Sequence, residues 1–342
     1  MPVNLRGRSL DSVMDYTVDE VRHLVNLSID LKKSKYQGLG NNFRPLSGKN
    51  IVILFQKDST RTRCAFEVAA ADLGASCTYI GASGSNFGKK ESIEDTAKVL
   101  GRFYDGIEFR GFSQKDVEVL VKYSGVPVWN GLTDKEHPTQ MIADLMTMKE
   151  KLGCLRGKKL VFCGDISNNV AVSNALGGAF YGMHVVLAGP KEYSAQFPKD
   201  VIKKCNELFR INGGSLKFEA NMQKAVAKAD VIYTDVWVSL GQPFELFKTR
   251  IQELGDYQVD MKAIKAANEN VIFMHCLPAF HDDHTDFSMQ IKKEFGRKFP
   301  KVSTGAMEVT DEVFQSKCNV SFDQAENRMH SIKAIILATI GY

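Results

Sequence analysis

A chain of 342 residues with 44% hydrophobic and 25% charged side chains exceeds one ordinary core and fits two α/β domains with a cleft between them. The formal charge of +4 is spread over interspersed Lys, Arg, Asp and Glu with no polybasic tract, so no nucleic-acid partner is expected. No apolar run approaches the ~20 residues that span a bilayer, so no membrane partner is expected either.

In chain order, residues 1–8 are basic without an apolar segment behind them, and 18–31 has the spacing of an amphipathic helix, so the expectation is a cytoplasmic protein with no export signal. The seven cysteines, Cys64, Cys77, Cys154, Cys163, Cys205, Cys276 and Cys318, never stand two to four residues apart as zinc-binding pairs do, and read as reduced thiols. From about residue 50, β-branched apolar runs alternate with helical patterns, the signature of βα units and parallel sheets. Strands are predicted over 51–55, 77–80, 106–109 and 127–129, each followed by a helix. Pro138 opens a helix over 138–148, a turn follows over 152–157, and a fresh strand begins at Lys159, which places the domain boundary at 152/153. Further strands are predicted over 160–163, 184–187, 216–219, 231–234 and 271–275, with a closing helix over 323–340.

Ligands of open parallel sheets sit beyond the carboxyl ends of the strands, and the residues there are unusual. After the first strand, Ser59 is a natural N-cap followed by Thr60, Arg61, Thr62 and Arg63 at the start of a helix. Unpartnered backbone N–H groups, hydroxyls and a guanidinium make that turn a phosphate or carboxylate cradle. Arg63 has the bland alternative of pairing with Glu67 one turn on; Arg61 has a companion in Arg110, which ends another strand of the same sheet. His137 and Gln140 flank Pro138 and Thr139 and can hydrogen-bond a carbonyl oxygen as charge develops on it. The Gly-rich stretch 81–91, with Gly84, Gly88 and Lys89, lacks Walker spacing, so nucleotide binding is rejected and a functional loop kept.

Strand ends in the second half carry Asp165, Asn168 and Asn169, then Asp235, Trp237, Ser239 and Gly241, then His275, Cys276, Leu277 and Pro278. Carboxylate, amides, hydroxyl and thiol suit a zwitterion bearing an amine. Cys276 reads equally as a small buried hydrophobe, and His275 as packing. Composition and spacing thus reach a two-domain enzyme with an anion site in the first half and an amine-compatible site in the second.

The segments 57–63, 137–140, 235–241 and 275–278, with 91–104, 126–132, 280–283, 305–313 and 322–330, together resemble the ornithine carbamoyltransferases of the aspartate/ornithine transcarbamoylase family over nearly the whole chain. The resemblance implies two parallel-sheet domains with the active site in the cleft: a carbamoyl-phosphate-binding domain over 1–152, against which a helix over about 322–342 packs back, and an ornithine-binding domain over 153–321. It implies carbamoyl phosphate on Ser59, Thr60, Arg61, Thr62, Arg110, His137, Gln140, Cys276, Leu277 and Arg328, and ornithine on Asn169, Asp235, Ser239 and Leu240. Arg61, Arg110, His137, Asp235 and Cys276 would serve the reaction, direct attack of the neutral δ-amine with phosphate as leaving group, without cofactor or metal. In relatives the Gly-rich loop crosses to a neighbouring subunit, which implies a homotrimer or a multiple of trimers with Asn86 at the neighbour's site. Leu240 stands where the family mostly has Met, and Asn86 where it often has Gln. The rival expectations are a transcarbamoylase for putrescine or a modified ornithine, and a silent protein that keeps the fold for binding or assembly.

Overall fold

The computed structural model describes residues 3–38, 43–83, 87, 88, 90–239 and 242–341, and the chain divides into two compact units. Unit 1 comprises Met1–Thr147 and Ala325–Tyr342, and unit 2 comprises Met148–Gln324.

Unit 1 holds α1 (Val18–Tyr36), β1 (Asn50–Phe55), α2 (Thr60–Leu73), β2 (Ser76–Ile80), α3 (Ile93–Phe103), β3 (Gly106–Arg110), α4 (Gln114–Ser124), β4 (Val128–Leu132) and most of α5 (Pro138–Leu152). Its strands run parallel in the order β2-β1-β3-β4. The five residues after Asn50 in β1 are all buried, because a central parallel strand is covered on both faces and needs a continuous apolar run rather than an alternating one. Val52, Leu54, Ile107, Phe109, Val117, Leu120 and Val128 form the core that results. Edge strand β2 is only partly buried along its length.

Unit 2 holds β5 (Lys159–Cys163), α6 (Asn169–Phe180), β6 (His184–Ala188), α7 (Lys191–Gln196), α8 (Lys199–Asn212), β7 (Ser215–Glu219), α9 (Met222–Val226), β8 (Val231–Thr234), α10 (Leu246–Leu254), α11 (Met261–Ala266), β9 (Ile272–His275), α12 (Asp286–Phe295) and α13 (Asp311–Phe314). The parallel order is β7-β6-β5-β8-β9. The chain closes with α14 (Ser321–Ile340), whose residues from Ala325 belong to unit 1. There Thr339 accepts a hydrogen bond from the buried indole of Trp129 at 3.0 Å, and Asn327 donates to Thr147 at 2.9 Å.

Every predicted strand is present, with ends displaced by up to three residues; the fourth runs to Leu132 instead of stopping at Trp129, since Asn130 pairs with Phe109 and Leu132 with Arg110, the register skipping Gly131 as an irregularity between them. The helix from Pro138 continues four residues past the expected end, to Leu152, because Lys149, Glu150 and Lys151 are good helix formers and nothing before Gly153 stops it.

Strand order decides what meets what. In unit 1 the connections leave β1 and β3 in opposite directions, so their carboxyl ends flank the switch point of the sheet, with Phe55 in register with Arg110. In unit 2 the switch lies between β5 and β8, where Cys163, Thr234 and His275 align across three strands. Gly164, Asp235 and Cys276 therefore follow side by side.

Candidate functional site

In unit 1 the site grows from the start of α2. Ser59 takes an extended conformation, its Oγ accepts from the Thr62 N–H at 3.3 Å, and that fixes the first turn, with Thr60 exposed and Arg61 partly buried on it. Ser59→Ala is expected to cost ~1 kcal/mol of stability in chemical denaturation.

Thr62 is buried, and two guanidinium groups reach its hydroxyl. Arg110 donates to Oγ1 from the end of β3 at 3.5 Å, and Arg328 donates from α14 at 3.2 Å. Arg328 also donates to Gln140 Oε1 at 2.6 Å, Thr139 Oγ1 at 3.4 Å and His137 Nε2 at 3.3 Å. Because a guanidinium only donates, His137 Nε2 must accept, so the imidazole carries its proton on Nδ1. Burial and then the charges of Arg328 and Arg110 hold its pKa well below the ordinary histidine value, which keeps the ring neutral. Gln140 is oriented at both ends, since its amide nitrogen donates to Asp144 at 2.7 Å. Arg63 pairs with Glu67 at 2.9 Å on the surface, the bland alternative.

The sequence reading passed over Glu108. Two residues before Arg110 on the same strand, it is fully buried and neither carboxyl oxygen has a hydrogen-bond partner among the described residues. Burial pushes its pKa well above the ordinary value, against the pull of Arg110 and Arg328. The signal was available: a carboxyl inside the five-residue buried run of β3 demands an explanation. Its room comes from Gly131 on β4, where an added Cβ would overlap the carboxyl group. Gly131→Ala should therefore destabilise the protein by about 1–3 kcal/mol, measured by urea denaturation, and pairing it with Glu108→Ala should restore part of the loss.

In unit 2, Asp235 follows β8 and takes hydrogen bonds on both oxygens, from Cys276 Sγ at 3.2 Å and from Asn168 Nδ2 at 3.2 Å. Asn168 is meanwhile the N-cap of α6, its Oδ1 accepting from the Ala171 N–H at 2.8 Å. Burial raises the Asp235 pKa, with His275 and the Cys276 hydrogen bond acting against it. Asn169 opens α6 partly buried, and Ser239 is exposed with its N–H on Gln242.

His275 is fully buried, as packing residues are, yet it does more. Its Nδ1 accepts from the Leu277 N–H at 2.9 Å, so Nε2 carries the proton toward Glu308 at 3.2 Å. That hydrogen bond helps hold Leu277 at a φ of 61°, a conformation costly for a residue with a branched side chain, and so presents the Cys276–Leu277 backbone. Cys276 is partly exposed beside Asp235, and none of the seven cysteines is in a disulfide.

The structure thus gathers Ser59, Thr62, Arg110, His137, Gln140 and Arg328 within unit 1, and Asp235 with Cys276 within unit 2. Asn86, with Gly84 and Lys89, and Leu240, with Gly241, lie outside the described residues. Arg328, separated from Thr62 by 266 positions, carries no local signal and came only through the family resemblance.

Comparison with known proteins agrees with both halves. Residues 8–150 match the carbamoyl-P binding domain of aspartate/ornithine carbamoyltransferases, and residues 156–339 match the Asp/Orn binding domain. The chain is 71% identical over 342 residues to a protein of Malacoplasma penetrans named as a catabolic ornithine carbamoyltransferase, covering all of both chains. It is 65% identical to one of Mycoplasma pneumoniae with the same name, again covering all of both. Among solved structures, the ornithine carbamoyltransferase from Pyrococcus furiosus superimposes with a TM-score of 0.87 at 40% identity, covering 99% of each chain. The protein belongs to the aspartate/ornithine carbamoyltransferase family.

Proposed function

We propose that the chain is an ornithine carbamoyltransferase whose unit 1 holds carbamoyl phosphate and whose unit 2 holds L-ornithine. The reaction forms a bond from the δ-nitrogen to the carbamoyl carbon and breaks the bond from that carbon to the phosphate oxygen, giving L-citrulline and phosphate. The observation that carries the reading is the convergence of Arg110 and Arg328 on Thr62 at the N-terminus of α2, with His137 and Gln140 on the same guanidinium.

In this reading Ser59, Thr60, Arg61, Thr62 and Arg110 hold the phosphate, aided by the partial positive charge of the helix N-terminus. Arg328, His137 and Gln140 face the carbamoyl group, where the neutral imidazole offers its Nδ1 proton to the oxygen as the tetrahedral oxyanion forms. Asn169, Asp235, Ser239 and Leu240 bind ornithine, and Cys276 with Leu277 lines the reacting end. Positioning and preorganised charge supply the rate, with no covalent intermediate.

The reaction is reversible through one site, and the catabolic names of the relatives favour phosphorolysis of citrulline, as in arginine deiminase metabolism, as the working direction. The divisions at 147/148 and 324/325 support a substrate-domain assignment near 1–152 with 322–342, and 153–321. A cytoplasmic homotrimer, or a multiple of it, with Asn86 serving a neighbouring site completes the proposal; no helix among the described residues is long and apolar enough to cross a membrane. Incubating the protein with carbamoyl phosphate and, separately, ornithine, putrescine, aspartate and acetylornithine should give a carbamoylated product with ornithine alone. Transfer to putrescine instead would reassign the acceptor, and no transfer despite phosphate binding would reduce the chain to a binding protein.

A further inference from the structure

Within unit 1, the turn that delivers His137 is tied to the start of the chain by a side chain outside the substrate assignments. Beyond β4, Thr133 and Glu136 close that turn: the Thr133 N–H donates to the Glu136 carbonyl at 3.0 Å, and the Glu136 N–H donates to Thr133 Oγ1 at 3.3 Å. His137 comes next, its carbonyl accepting from the Gln140 and Met141 N–H groups at 3.1 Å as α5 begins. The Glu136 side chain is fully buried, and its oxygens go to residues 124 and 123 positions earlier. Oε1 accepts from Ser12 Oγ at 2.7 Å, and Oε2 accepts from the Val13 N–H at 3.2 Å.

We propose that Glu136 is a positioning residue for His137: by clamping the turn before it to the N-terminal segment, it holds the imidazole where Arg328 meets it at 3.3 Å. Only the kinetic consequence rests on the reading that His137 serves the carbamoyl group.

The clamp is firm because the segment it grips belongs to the sheet. Leu10 bridges Trp129 in parallel, its N–H donating to the Val128 carbonyl at 2.8 Å and its carbonyl accepting from the Asn130 N–H at 2.9 Å, so the segment runs as an added edge beside β4. Asn130 Nδ2 fastens the next residue, donating to the Asp11 carbonyl at 2.9 Å. Ser12 is aimed as well: its oxygen accepts from the Met14 N–H at 3.1 Å, which leaves its proton for the carboxylate. A carboxylate at a fully buried position costs desolvation that an apolar side chain of similar size would not, so packing alone does not account for it. Burial raises the Glu136 pKa, and the Ser12 and Val13 hydrogen bonds oppose the rise. The charges that help keep the His137 ring neutral are those of Arg328 and Arg110, so what Glu136 controls is where the ring stands. A displacement of about 1 Å in such a group is enough to cost ~10² in rate.

Two measurements on the full-length protein test the clamp: kcat and KM for citrulline formation, and the imidazole nitrogen shifts of His137 in 15N-histidine NMR, its signal identified by its loss in H137Q. E136L, which keeps the bulk and removes both acceptors, should lower kcat about thirtyfold, change KM for carbamoyl phosphate less than about threefold, and move the His137 shifts. S12A should act the same way with a loss of about threefold to tenfold. E136Q, whose oxygen can take the Val13 N–H while its amide donates to Ser12, should restore most of the rate. Y16F, which removes the Tyr16 hydrogen bond to the Ser9 carbonyl at 3.0 Å in the same segment, should lower Tm yet leave kcat and the His137 shifts as in the wild type. In an H137Q background, E136L should cost nothing further in kcat. Losses that persist undiminished in H137Q, or His137 shifts that stay put in both S12A and E136L, would overturn the proposal. Absence of citrulline while the shifts move as expected would overturn the acceptor reading and leave the clamp standing.

Discussion

Arg110→Ala should lower kcat/KM for carbamoyl phosphate by about 10²–10³, or ~3–4 kcal/mol of transition-state stabilisation. Arg110 is buried at the end of β3, where it reaches Thr62, so its guanidinium acts in a site from which water is largely excluded and charge is poorly screened. Arg110→Lys keeps the charge but loses the planar fork, and should recover only part of the rate. The control is Glu108→Gln, which keeps the shape of the buried neighbour and removes its ionisation. Because the folded state raises the Glu108 pKa, the native protein binds the extra proton, and the stability this group contributes is present below its ordinary value of 4.5 and lost as pH rises above it. The Gln variant should thus be more stable than the wild type at neutral pH, with the difference closing as pH falls toward 4.5. Steady-state kinetics with denaturation curves at two pH values reads both effects; an Arg110→Ala enzyme within tenfold of the wild type would remove Arg110 from the anion site.

In the proposed reading, Asp235→Ala should lower kcat/KM for ornithine by about 10²–10³ while phosphate affinity changes little, because the carboxylate proposed to hold an ammonium is lost and Asn168 and Cys276 lose their shared acceptor. The pH dependence has a definite sign. In the proposed reading ornithine needs Asp235 ionised, and burial has raised its pKa, so affinity should begin to fall at a higher pH on acidification than an ordinary carboxylate would allow. Calorimetric titration of ornithine into the phosphate-loaded protein, from neutral pH downward, measures this. Asp235→Asn should bind weakly at all pH values without that acid limb; a limb that persisted in Asn would assign the titration to another group.

The strands of the fold were legible because parallel strands buried on both faces leave long apolar runs, as in β1, and the capped start of α2 because Ser59, Thr60, Arg61 and Thr62 are contiguous. What spacing alone could not show was non-local. Arg328 meets Thr62 from the last helix, and Glu308 meets His275 across 33 positions, neither of which leaves a mark in spacing. Strand order escaped too: apolar runs announce that strands exist but not that β3 crosses to the far side of β1 and brings Arg110 in line with Phe55. Glu108 was the missed opportunity, an acid in an otherwise apolar strand that local inspection could have questioned.

Asn168 spends one side chain on two tasks, with its oxygen closing the first turn of α6 and its nitrogen steadying Asp235. Few replacements can inherit both. Serine would cap the helix but is too short to reach the acid as well, and aspartate would cap it while setting two negative charges against each other. Evolution of a new acceptor preference on this scaffold is thereby constrained at a residue that need not touch the acceptor, since retuning the carboxylate there also loosens the helix behind it.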